Sequence, residues 1–102
     1  MALPVVFRRR VQSDLRFAFD WYEEQRAGLG GEFRAAVQAT FRTIELHPEI
    51  FSSVYDDVRR AVLTRFPFAV FYLVEPKRVV VLRVLHTARN PALWPKPGSG
   101  VR

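Results

Sequence analysis

The sequence predicts an α+β domain: a helical hairpin packed on one face of a small, mainly antiparallel twisted sheet, in the order β-α-α-β-β-β. Three observations predict it. Apolar residues over 15–44 recur with a helical period that a glycine cluster interrupts once. Beyond Pro48 the period becomes that of strands, in three runs joined by short connections, which favour a meander. The chain has 102 residues, 49% of them hydrophobic and 14% aromatic, enough for one core and one domain. The domain is expected over 1–94, with an irregular tail over 95–102.

Val5, Val6 and Phe7 form a short first strand, over 3–8, able to join the sheet at an edge. A helix follows, for which Ser13 or Asp14 is the expected cap, a side-chain oxygen there accepting an orphan backbone N–H. Leu15, Ala18, Phe19 and Tyr22 lie on one face of it. Phe17 and Trp21 add a second stripe, so this helix is expected to be buried on more than one side. The run Ala27-Gly28-Leu29-Gly30-Gly31 stops it, because glycine admits the left-handed conformation of a helix end. The second helix starts at about Leu29 or Gly31. Leu29, Phe33, Ala36, Val37, Thr40, Phe41 and Ile44 keep the helical period, while Glu32, Arg34, Gln38, Arg42 and Glu45 lie off it. Pro48 ends it.

Val58 to Arg65 is the next strand, of mixed polarity. Phe68 to Val74 is apolar on both faces, as a central strand is. Glu75-Pro76-Lys77 turns into Arg78 to His86, rich in strand-favouring valine. The tail from Asn90 holds Pro91, Pro95, Pro97, Gly98 and Gly100 and is expected to be irregular.

Charge divides the chain. Residues 1–50 carry seven acids and seven arginines; residues 51–102 carry three acids and nine bases, which is the whole net charge of +6. The second half is therefore the half that meets an anion. The absence of cysteine excludes a disulfide framework and a thiolate metal site, and fits a reducing cytoplasm. Two isolated histidines give no metal-ligand spacing, so no metal or other cofactor is expected. The apolar N-terminal residues precede their arginines, the reverse of a signal peptide. No apolar run approaches membrane-spanning length, so no membrane partner is expected.

His86 is the one candidate acid–base group near neutrality at a strand end. A strand-end histidine can equally bond backbone and fix the tail, and without an acid–base partner in sequence that role is favoured. His47, before Pro48, answers the dipole of a helix end. By strand alternation Arg83 and His86 face opposite sides of the sheet, as do Arg59 and Arg60. Arg60, Arg65, Arg83 and Arg89 could bind phosphate or an acidic chain, or form a solvated basic edge. Trp94 is expected to pack back over the core. Gly28, Gly30 and Gly31 are no phosphate loop, because no strand feeds them and no Lys-Ser/Thr follows.

Four blocks together carry a resemblance: DLRFAFDWYEEQRAGLGGEF at 14–33, HPEIF at 47–51, VRRAVLTRFPFAVFY at 58–72 and VLHTARNPALW at 84–94. In this order and spacing, over roughly 5 to 94, the chain resembles the RelE/ParE superfamily of type II toxin–antitoxin toxins, most closely the plasmid stabilisation branch. The resemblance implies the same α+β fold and a small cytoplasmic toxin neutralised by a cognate antitoxin, whose acidic segment covers the basic half. It implies one of two targets. ParE-like toxins poison DNA gyrase without a catalytic set. RelE-like toxins cleave mRNA on the ribosome with basic residues and commonly a C-terminal tyrosine. For that alternative the candidates are Arg60, Arg65, Arg83, His86 and Arg89. Trp94 stands where the tyrosine would be and no tyrosine follows Tyr72, which favours the ParE-like reading. A non-toxic relic that only binds its antitoxin is the third reading.

Overall fold

Two helices lie on one face of a five-stranded sheet in the computed structural model, which describes residues 2–95. In chain order the elements are β1 (Val5–Phe7), α1 (Arg9–Gln25), α2 (Leu29–Leu46), β2 (Ser53–Tyr55), β3 (Val58–Val62), β4 (Phe68–Glu75) and β5 (Arg78–His86). A 3-10 turn over Pro91–Leu93 follows. The strands lie in the order β1-β5-β4-β3-β2. β1 runs parallel to β5 at one edge and every other pair is antiparallel. The tail expected to be irregular lies, from Lys96 on, outside the described residues.

α1 begins earlier than its expected cap. Arg8 N–H donates to Val81 O at 2.9 Å, so the chain turns off the sheet immediately after β1 and is helical from Arg9. Neither Ser13 nor Asp14 caps it. Ser13 Oγ donates to Arg10 O within the helix, and Asp14 is committed to the sheet, as described below. Tertiary pairing thus overrides the local signal, and leaves arginines at the positive end of the helix dipole.

The turn between the helices is held by Glu23. Its carboxylate accepts the N–H groups of Gly28 and Gly30, each at 2.9 Å, in place of a side-chain cap on α2. The left-handed residue is Gly28, φ +91°, and it starts α2. α1 itself ends in extended backbone at Arg26. Gly30 sits where the helices touch: a Cβ there would lie 2.8 Å from Phe19 O.

Both faces of the sheet are covered. On the helix face, Val11, Ala18, Tyr22, Phe33, Val37 and Ile44 pack on Val70, Tyr72, Val79, Val81 and Val84. The other face holds Val58, Ala69, Phe71, Val80, Leu82 and Leu85, under Tyr55 and Trp94. Trp94 packs 5.0 Å from the Phe71 ring and 6.1 Å from Tyr55, as expected of it.

The sheet departs from the expected order in two ways. An additional short strand, β2, pairs with β3 across the Asp56-Asp57 turn, where Asp56 has φ +45°. β5 also carries an irregularity. Tyr72 is paired with Val81 and Phe71 with Arg83, so the register skips Leu82. Such a bulge shifts the phase of every later residue. Val84 therefore joins Val79 and Val81 on the helix face, and Leu85 joins the opposite cluster.

Candidate functional site

The bulge sets the face of every later residue of β5. Arg83, opposite Phe71, and His86, opposite Phe68, lie on opposite sides of the sheet as alternation requires, with His86 on the helix side. Arg83 reaches Asp14 of α1 in a two-pronged ion pair, Nε to Oδ2 and Nη2 to Oδ1, both 2.8 Å. Asp14 Oδ2 also accepts Val84 N–H at 3.0 Å. The side chains are about nine-tenths buried, at 11% and 10% exposure. The Asp14 carboxylate raises Arg83's already high pKa, with burial opposing it. Arg83 is thus a fastening between helix and sheet.

His86 lies edge-on to Phe68, ring centres 5.3 Å apart, on the helix side. Its Nδ1 accepts Ala88 N–H at 3.0 Å, which makes Nε2 the protonated nitrogen of the neutral ring. The bonded strand-end role expected of it is therefore present. Arg89 follows in the turn, its N–H bonded to His86 O at 3.0 Å and its side chain exposed.

Arg60 and Arg65 lie elsewhere. Arg60 is on the opposite face, its guanidinium carbon 5.2 Å from the centre of the Trp94 ring. Arg59, directly before it, donates to Phe51 O at 2.6 Å, and the two arginines take opposite faces as alternation requires. Arg65 stands in the β3–β4 connection with φ +77°, a strained conformation for a residue with a side chain. It pairs with Glu32 at 2.9 Å, and Glu32 also pairs with Arg26. The five sequence candidates therefore occupy three separate places, and two of them, Arg65 and Arg83, are ion-paired to carboxylates.

His86 and Arg89 border a feature that sequence reasoning assigned to the core. Phe17 and Trp21 were expected to be buried, yet they are 77% and 53% exposed. They form one wall of a groove of about 500 Å³ between α1 and the end of the sheet. Pro67, Phe68, Val84, Leu85, His86 and Arg89 form the rest. Asp14 lies at one end, its charge matched by Arg83. The groove is thus apolar within and positive at its rim. A contiguous exposed apolar surface of this kind marks an interaction site. The signal was present in sequence: Phe17 and Trp21 fall one turn apart, off the stripe of Leu15, Ala18 and Tyr22. A second cavity of about 590 Å³ opens between the helices, against Phe7, Phe19, Phe41 and Arg34.

Among the described residues no group of His, Asp or Glu is arranged to hold a metal ion, and no helix is long and apolar enough to cross a membrane.

The family model described as ParE toxin of type II toxin-antitoxin system, parDE, matches residues 5–91. Among solved structures, the chromosomal ParDE TA system from P. aeruginosa contains a chain of the same fold. The TM-score is 0.74 at 17% identity, with 83% of this chain and 96% of that chain covered. Comparison with curated protein sequences finds no match.

Proposed function

The chain belongs to the ParE toxin family of type II toxin–antitoxin systems, and from that premise we propose that it is a growth inhibitor acting on DNA gyrase and held silent by a cognate antitoxin. The observation that carries the reading is the groove along α1. An apolar trough with Phe17 and Trp21 exposed on one wall and Arg89 at the rim suits a partner segment that is apolar with acidic flanks. Such a segment is disordered alone and orders on the toxin. The dispersal of Arg60, Arg65, Arg83, His86 and Arg89 supports interaction over phosphodiester cleavage. Cleavage needs its charge-stabilising and proton-transferring groups on one reacting phosphate. Arg83 already has both prongs of its guanidinium on Asp14.

Induction of this chain alone is expected to arrest growth, and co-expression of the short reading frame beside its gene to restore it. Normal growth at good soluble expression would contradict the proposal.

A further inference from the structure

The outer edge of β5 is only partly covered. β1 pairs with Val79, Val80 and Val81 and then stops, while β5 continues to His86. Beyond Val81 no described strand lies on that side.

The contacts around β5 reveal where its later backbone groups point. Val84 N–H goes outward, to Asp14, at 3.0 Å. Thr87 N–H goes the other way, to Pro67 O beside β4, at 2.8 Å. Successive strand residues alternate, so Val84 and His86 direct their backbone groups outward, and Arg83 and Leu85 direct theirs to β4. Two of the outward groups are occupied: Val84 N–H by Asp14, and His86 C=O by Arg89 N–H at 3.0 Å. Among the described residues Val84 C=O and His86 N–H have no partner, and are left for a neighbour.

That pair selects the neighbour's direction. An antiparallel strand exchanges both bonds with one residue, and here neither Val84 nor His86 has both groups to give. A parallel strand places one of its residues between the C=O of one residue and the N–H two residues on. Val84 C=O and His86 N–H, bracketing Leu85, have that spacing. β1 supplies the precedent, since it holds the same edge of β5 in parallel as far as Val81, the residue before the bulge. A helix fits less well, because its backbone groups are already bonded within it.

We infer that the antitoxin docks here as a short parallel strand on the uncovered part of β5. One of its residues bridges Val84 and His86, its apolar side chains rest on Phe17 and Trp21, and its carboxylates face Arg89. The inference rests on the toxin–antitoxin reading above. Charge favours this occupant: Asp14 is neutralised by Arg83, so the groove presents cationic Arg89 on a chain of net charge +6.

The test uses the isotope-labelled full chain, free and in complex with the antitoxin expressed from the adjacent reading frame. On binding, exchange of the His86 amide is expected to slow by about tenfold or more, while Val84, already bonded to Asp14, changes little. Cross-strand proton contacts should link Leu85 to the antitoxin backbone in parallel register. Phe17→Ala should leave the melting temperature of the free chain unchanged and weaken binding about tenfold or more. A complex that forms with His86 exchange unaltered, or with protection confined to the Phe7 and Phe41 side, overturns the strand inference and leaves the toxin–antitoxin reading standing. Failure to form any complex overturns both.

Discussion

Removal of the Asp14 carboxylate is the sharpest test of how α1 is fastened to the sheet. In Asp14→Ala the Arg83 guanidinium loses both of its 2.8 Å acceptors, and Val84 N–H loses its partner at the bulge. Arg83 remains about nine-tenths buried with an uncompensated charge. Breaking a buried pair from one side costs about 3–5 kcal/mol, whereas an exposed pair contributes about 0–1 kcal/mol. The lower end applies, because the pair borders the groove, where water reaches it: about 3 kcal/mol. For a domain of this size each kcal/mol moves Tm by roughly 4–8 °C, so the melting temperature should fall by roughly 12–24 °C. Chemical denaturation of the single variants Asp14→Ala and Arg83→Met and of the double variant closes a cycle. The double variant should cost about 2 kcal/mol less than the two singles added together, because neither charge is then stranded. A cost below about 1 kcal/mol for Asp14→Ala, with strictly additive singles, would refute the fastening and leave an ordinary solvated pair.

Three further outcomes are expected. Gly30→Ala should destabilise by about 1–3 kcal/mol, because its methyl group meets Phe19 O at 2.8 Å, whereas Gly31→Ala meets nothing within 4 Å and should gain up to about 1 kcal/mol of helix propensity; equal effects in urea melts would contradict the close approach. Burial pushes the Tyr72 phenol up to about 12, against the pull of Arg59 and of the Phe51 backbone. A raised folded-state pKa means stability that is complete below the unfolded value of about 10 and drains as pH rises from there towards 12; Tyr72→Phe should make the alkaline fall in denaturation midpoint shallower, and an unchanged slope would contradict it. Arg65→Gly should be neutral or stabilising by about 1 kcal/mol in thermal melts, since it relieves φ +77° and gives up an exposed ion pair with Glu32 and a loose contact over the Phe66 ring at 5.6 Å.

The elements that set the fold were legible because each carried its own period. β5 runs from Arg78 to His86 as its valines indicate, and β4 exceeds its expected span by one residue. α2 begins at Leu29, one of the two starts its stripe allowed. β2 was hidden because three residues are too few to show alternation. The bulge at Leu82 was hidden for a deeper reason: register is a property of two strands, and nothing in Val81-Leu82-Arg83 announces which residue its partner will skip. That one residue moved Val84 and His86 onto the helix face with Val79 and Val81. Phe17 and Trp21 were misassigned because an aromatic stripe looks the same whether the surface it meets belongs to its own chain or to another. The displaced helix start followed from a long-range bond, Arg8 to Val81, that outweighed the local cap signal.

The most direct test of the proposed activity is DNA supercoiling by purified gyrase in the presence of the purified chain, with RNA ends mapped from cells after induction. Gyrase poisoning predicts lost supercoiling, restored by the antitoxin, with mRNA ends unchanged. Full supercoiling accompanied by new cuts at codon positions, abolished by Arg83→Ala or His86→Ala, would contradict it and place the chain among the ribonucleases.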